Sequence, residues 1–238
     1  MERNTAVSDR DSAPLPAVPV ADCEKYAECM EEIKKRHASV VAVFQRRLST
    51  GFPQTDLEYV WLQLRKILEL IGLASLCAHR VGYERVRAAF HKDQNVSDVV
   101  KQIKRINPHY FPTPHEQIRD ASGTRTVEVV TSTKDSLTEL EYSEKLGRCS
   151  NFLHAKNPYS RKEVDVVEAI EEAAVLSHRV INLLNAHGIR LVGTDAQLWV
   201  VMHAETDGRA HVHQMHPKEP DSGQPNSHAH ATRRYKKR

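Results

Sequence analysis

Between Leu146 and Tyr159 the chain reads Leu-Gly-Arg-Cys-Ser-Asn-Phe-Leu-His-Ala-Lys-Asn-Pro-Tyr, which sets Arg148, Asn151 and His154 three positions apart. RNA is cut without a metal when one group removes the 2′-hydroxyl proton and another stabilises charge on the phosphate. A histidine titrates near neutral pH and suits the first task. An arginine presents a permanently charged fork and suits the second. On an ideal helix the three side chains form a slanted row. A helix that loosens ahead of Asn157-Pro158 lets His154 turn back towards Arg148, with Asn151 placed to orient one of them. Arg-to-His spacings of five to seven positions also occur at Arg85/His91 and Arg209/His216, so spacing alone carries no weight. The position does: the end of a capped core helix, beside an Asn-Pro stop. The competing reading of His154 is a C-terminal helix cap, where an imidazolium favours the dipole.

The elements that must hold these residues are mostly helical. Tyr26, Met30, Ile33, Val40, Val41, Phe44 and Leu48 form one stripe and predict a first helix ending near Gly51. A capping box, Thr55-x-x-Glu58, opens a second helix that runs through Leu57, Val60, Trp61, Leu64, Ile67, Leu68, Ile71 and Ala74 to about Arg80. It is the most apolar element and the expected central core helix. A less regular helical segment covers about 82–106, and Asn107-Pro-His-Tyr-Phe-Pro-Thr-Pro114 stops it. Thr124–Thr131 is β-branched and predicts one short strand. Boxes at Ser136-x-x-Glu139 and Ser160-x-x-Glu163 open two more helices, the second ending at a His187-Gly188 cap. Beyond it the period falls to two, predicting strands at Ile189–Val192 and Gln197–Ala204, and a hairpin through Asp207-Gly208 into Arg209–Met215. The expected fold is mainly α. A helical bundle over 21–187 carries a small C-terminal β element over 188–216, with disordered tails at 1–20 and 217–238.

Composition narrows the function classes. The chain has 238 residues and a net charge of +3. Six basic and two acidic residues lie between Pro217 and Arg238, so the remainder is close to neutral. That is not the footprint of a dedicated DNA-binding domain. Cys23, Cys29, Cys77 and Cys149 form no CxxC pair and read as reduced, packed thiols. The first residues are charged and polar with no apolar core, so no signal peptide is expected, and no apolar run is long enough to span a bilayer. The expectation is a soluble, cytoplasmic protein with no membrane partner.

The helix Leu57-Glu-Tyr-Val-Trp-Leu-Gln-Leu-Arg-Lys-Ile-Leu-Glu69, followed by Leu153-His-Ala-Lys-Asn-Pro158, resembles proteins of the HEPN superfamily, over about residues 25–187. The family is named for a higher-eukaryote and prokaryote nucleotide-binding domain. The resemblance implies a helical bundle, commonly homodimeric. In many members it is a metal-independent endoribonuclease of bacterial toxin, abortive-infection or antiviral defence systems. Their signature is an arginine followed a few residues later by a histidine, helped by a polar residue on an earlier core helix. Carried over, Arg148 and His154 are the catalytic pair, and Glu69 or Arg65 the supporting residue. Cys149 stands where the family usually has Asn or Asp. The resemblance implies RNA as substrate, 2′,3′-cyclic phosphate ends, no cofactor, and a partner protein of such a system. Members without catalysis serve as dimerisation or partner-binding modules, which is the alternative function. Read without the resemblance, Arg65 and Glu69 at i and i+4 are an intrahelical ion pair.

The C-terminal histidines fall short of a metal site. A turn at Asp207-Gly208 pairs Ala204 with His211 and Met202 with His213, which leaves two histidines on one face and His203 on the other. Two ligands do not make a tetrahedral zinc set, and no metal is expected. Arg233, Arg234, Lys236, Lys237 and Arg238 are candidates for non-specific contact with RNA phosphates, or else a solvated charged tail.

Overall fold

Leu57, Val60, Trp61, Leu64, Ile67, Leu68, Ile71 and Ala74 recur at helical spacing and are all buried, so the segment carrying them is a helix with other elements on more than one side. This is α2, Pro53–Val86. Pro53 at its first position needs no hydrogen bond for its missing N–H. α1 (Val20–Phe44) runs antiparallel to α2. Asp22 near its start takes Arg80 near the end of α2, and Arg36 binds Gln63 at 2.9 Å. α3 (Val96–Ile106), α4 (Glu139–Ser150) and α5 (Val166–Leu184) also pack on α2. A Cβ on Gly72 would come within 2.6 Å of Val96 and 2.8 Å of the Tyr142 hydroxyl, so a larger residue would push α3 and α4 away. The computed structural model describes residues 17–86, 95–122, 126–155, 159 and 165–217, and the backbone of 235–237.

The mainly helical expectation is overturned. The five helices pack with a six-stranded antiparallel sheet, making a mixed α/β fold. Its strands are β1 (Thr113–Arg119), β2 (Thr126–Thr131), β3 (Ala186–Arg190), β4 (Gln197–Val201), β5 (His211–Pro217) and β6 (Tyr235–Lys237), in spatial order β2-β1-β3-β4-β5-β6. β1 begins at the end of the proline-rich stretch that stops the preceding helix, where no strand is expected, and it joins the β2 hairpin to β3 through Thr113↔Gly188 and Pro114↔His187. The expected hairpin is therefore the middle of a larger sheet. Ile189, Leu198, Val200 and Met202 belong to the same core as α1, α2 and α5. α1 packs on β5, and α5 on β1 and β3.

Several boundaries also move. The box that opens α4 is Thr138/Glu141, because Arg179 of α5 binds the Ser136 carbonyl and the Arg179 carbonyl takes the Leu137 N–H, keeping that segment extended. Asp165 caps α5, while the expected Ser160/Glu163 box lies outside the described residues. α5 ends at Leu184, and His187-Gly188 is strand rather than cap. Among the described residues no helix is long and apolar enough to cross a membrane.

Candidate functional site

Trp61, Arg65 and Glu69 follow one another at four-residue steps along α2 and meet the last turn of α4. The Trp61 ring lies flat on Phe152, in the turn after α4, at 4.4 Å between centroids and 5° between planes. The guanidinium carbon of Arg148 stands 4.9 Å from the centre of Phe152 and 5.9 Å from that of Trp61. Its Nε and one terminal nitrogen donate to Glu172 Oε2 on α5, at 3.0 and 2.9 Å. Lys145, one turn earlier on α4, donates to the other oxygen of Glu172 at 3.2 Å. Burial works to raise the Glu172 carboxyl, but the hydrogen bonds and charges of Arg148 and Lys145 outweigh it and hold the group below the usual carboxylate range.

Arg65 binds Glu69 at 2.9 Å, as an i,i+4 pair, and reaches across to Ser150 of α4. Lys66 takes the second oxygen of Glu69 at 3.1 Å. Arg65, Glu69 and Arg148 thus lie on one ridge made by α2, α4 and α5. Asn151 is exposed and ends α4 through its backbone N–H, which bonds the carbonyls of Arg148 and Cys149. His154 is exposed, in the coil beyond that cap, and has no hydrogen-bond partner among the described residues. Asn157-Pro158 lies outside them, as do Arg233, Arg234 and Arg238. Lys236 and Lys237 belong to β6. Cys149 is fully buried, and burial pushes its thiol up to about 12, which rules it out as a nucleophile.

Sequence reasoning missed Glu172, Lys145, Ser150 and Phe152. The signal was partial: Lys145 and Arg148 share a face of α4, and α5 carries Glu171-Glu172, but only packing puts the two faces together.

Two buried histidines lie elsewhere, between helices and sheet. His187 is fully buried; its Nδ1 donates to the Leu184 carbonyl at 2.8 Å and its Nε2 accepts from the Tyr26 hydroxyl at 2.7 Å. Burial pulls it down to about 4. His79 donates through Nδ1 to the Ser75 carbonyl at 2.7 Å, and its Nε2 lies 2.7 Å from the Asn107 amide nitrogen and 3.2 Å from the Arg190 carbonyl. Burial lowers this ring too, against the opposing pull of its carbonyl partners. The Asn107 amide also holds the Arg190 carbonyl, at 2.7 Å. These rings join elements, and His79 also lines a cavity of about 120 Å³ with Asp22, Cys77, Arg80 and Gln214. A cavity of about 250 Å³ lies between Ile106–His109 and Arg190–Ala196.

The histidine hairpin has a different register from the expected one: Val201 pairs with His211 and Trp199 with His213. The connection is wider than a two-residue turn, closed by Ala204 N–H on the Arg209 carbonyl. His211 Nε2 lies 3.1 Å from both carboxylate oxygens of Asp207. Among the described residues no three His, Cys, Asp or Glu are grouped to hold a metal ion. The chain matches no protein-family model, no curated protein and no solved structure.

Proposed function

We propose that this chain is a non-catalytic dimerisation and partner-binding module, in which Arg148 is part of the framework. One observation carries the reading. The Nε and one terminal nitrogen of Arg148 are engaged by Glu172 and its guanidinium lies against Phe152, so the edge with which it would grip phosphate already holds α4 to α5. An RNA phosphate would have to displace a carboxylate held in place by Lys145 as well. The test is to incubate wild-type and His154→Ala protein with total RNA in EDTA and examine the 3′ ends. No fragments from either is the expected result. Fragments with 2′,3′-cyclic phosphate ends from the wild type alone would overturn it.

Those fragments are what the second reading, a metal-independent endoribonuclease, predicts. Four cations, Arg65, Lys66, Lys145 and Arg148, pair with three carboxylates, Glu69, Glu144 and Glu172, and His154 is exposed beside them in sequence. The surplus positive charge favours a polyanion. In that reaction His154 removes the 2′-hydroxyl proton and the 2′-oxygen attacks phosphorus. The 5′-oxygen then leaves with a proton returned by the imidazolium. Arg148 must release Glu172 to neutralise the phosphate. The toxin or antiviral setting belongs to this reading through the HEPN resemblance alone.

A further inference from the structure

The sheet ends in two unlike edges. At one, β6 is three residues long and two of its three residues are lysines. Short strands and lysines are ordinary devices that keep an edge from pairing with another chain. At the other, β2 is six residues long, Thr126-Val-Glu-Val-Val-Thr131, with five β-branched residues and no lysine, arginine or proline. Among the described residues no main-chain hydrogen bond crosses its outer side. Val127 is 58% exposed, and Ile118 on the neighbouring strand 44%. The hairpin leaves the pairing of the sheet after Pro114, although Arg119 at its far end still binds Glu205 in the β4–β5 connection. β1 pairs with β3 only at Thr113 and Pro114, then runs on past the start of β3, paired with β2 as far as Arg119.

We propose that two copies of this chain join through β2, antiparallel and around a two-fold axis, so that one sheet runs through both. The sequence of the strand selects the second copy as occupant. A symmetric antiparallel pair sets one residue opposite itself and matches the others at equal distances on either side. Centred on Val129, it faces Val129 with Val129, Glu128 with Val130, and Val127 with Thr131. β-Branched side chains then meet at Val129/Val129 and Val127/Thr131, and such cross-strand pairs are what stabilise a sheet, while the two Glu128 carboxylates are kept apart, each opposite a Val130. Centred on Glu128, two carboxylates would face each other, which disfavours that register. The charge at Glu128 therefore excludes the register centred on it, the Val129 register sets a valine against itself at mid-strand, and the bare edge supplies the main-chain bonds. The inference rests on the binding-module reading only for its role, naming the partner in dimerisation.

The test is the mass of the full chain in solution, by sedimentation or light scattering across the micromolar range. The wild type is expected at twice the chain mass. Val129→Lys and Val129→Glu, each alone, are expected at the chain mass with an unchanged circular dichroism spectrum. Mixing the two should restore the doubled mass, because Lys and Glu meet only if position 129 faces itself. If Val129→Lys disturbs the fold, Val127→Lys at an already exposed position should likewise halve the mass. A wild type at the chain mass overturns the inference, as does a Val127→Lys or folded Val129→Lys protein that stays dimeric. Two folded single variants at the chain mass that fail to associate on mixing overturn the Val129-centred register. A dimer that cuts RNA in EDTA overturns the functional reading and leaves the interface standing, while a monomer that cuts nothing overturns the interface and leaves the non-catalytic partner-binding part of that reading.

Discussion

The joint between helices and sheet and the ridge where α2, α4 and α5 meet hold their polar groups by opposite means. At the joint, His187 and His79 are almost without solvent contact, and His187 uses one nitrogen to donate and the other to accept. That pattern fits only the neutral ring, and burial makes the charged ring costly. On the ridge, Arg148, Lys145, Arg65 and Lys66 pair with Glu69, Glu144 and Glu172 and stay partly in water. Perturbed titration is often a mark of function. Here it marks fixed joints between elements, whereas the residues whose spacing suggests chemistry sit in ordinary surface pairs.

The largest way to break this contrast is to remove a joint. His187→Ala deletes two buried hydrogen bonds, leaves the Tyr26 hydroxyl without its partner and opens a cavity between α1 and β3. It is expected to cost about 3 kcal/mol, or roughly 6–12 °C in Tm for a domain of this size. Thermal and urea unfolding read it directly. A loss no greater than that of Arg148→Ala would mean that the joint is not what holds helices and sheet together.

Acid tests the same joint without a mutation. The unfolded chain protonates His187 near the ordinary value of about 6.5, whereas the folded chain resists until about 4. Between these the unfolded state binds more protons, so stability falls as pH drops through that window, then levels for this group. A separation of this size corresponds to about 3 kcal/mol. His79 is shifted in the same direction and steepens the fall. Urea midpoints in His187→Gln, which keeps a donor and an acceptor but does not titrate, should change less between neutral and acid pH than those of the wild type. Parallel curves for the two proteins would show that His187 is not the group being protonated.

How far these two regions could be read from the sequence differs for physical reasons. The long apolar helix is legible because Leu57 to Ala74 keep one period for several turns. β1 is not, since Pro112 and Pro114 read as stops, yet a proline is tolerated where a strand begins and its N–H is not needed. Gly188 is read as a helix cap needing positive φ. It is instead a strand residue opposite Trp199, where a Cβ would lie 2.9 Å from the His115 ring. The requirement is close approach, and no local pattern signals it. On the ridge, Arg65 with Glu69 is legible as an i,i+4 pair. Arg148 with Glu172 joins positions far apart in sequence, so only the packing of α4 on α5 reveals that the arginine is engaged.

Glu172→Ala probes that engagement with a smaller effect. It leaves Arg148 and Lys145 without their shared carboxylate at a site only partly shielded from water, so about 1 kcal/mol is expected. The readout that matters is RNA affinity. If Glu172 masks the ridge, Glu172→Ala should bind RNA more tightly than wild type at low salt, and the gain should shrink as salt is raised. If binding is unchanged, the surplus cations on this face have no nucleic-acid role.

His154→Ala carries the smallest expected change and the sharpest meaning for the comparison. The side chain is exposed and makes no hydrogen bond to any described residue, so its removal should alter stability by less than about 0.5 kcal/mol. Under the binding-module reading it should also leave dimer mass and RNA integrity untouched, because nothing in the framework depends on it. A stability loss near 1 kcal/mol would instead make it a helix-end residue interacting with the carbonyls beyond α4. Unchanged stability combined with lost RNA cleavage would be the one result that a framework cannot produce. It would place acid–base chemistry on the ridge, and Arg148 would then have to exchange Glu172 for phosphate during each turnover.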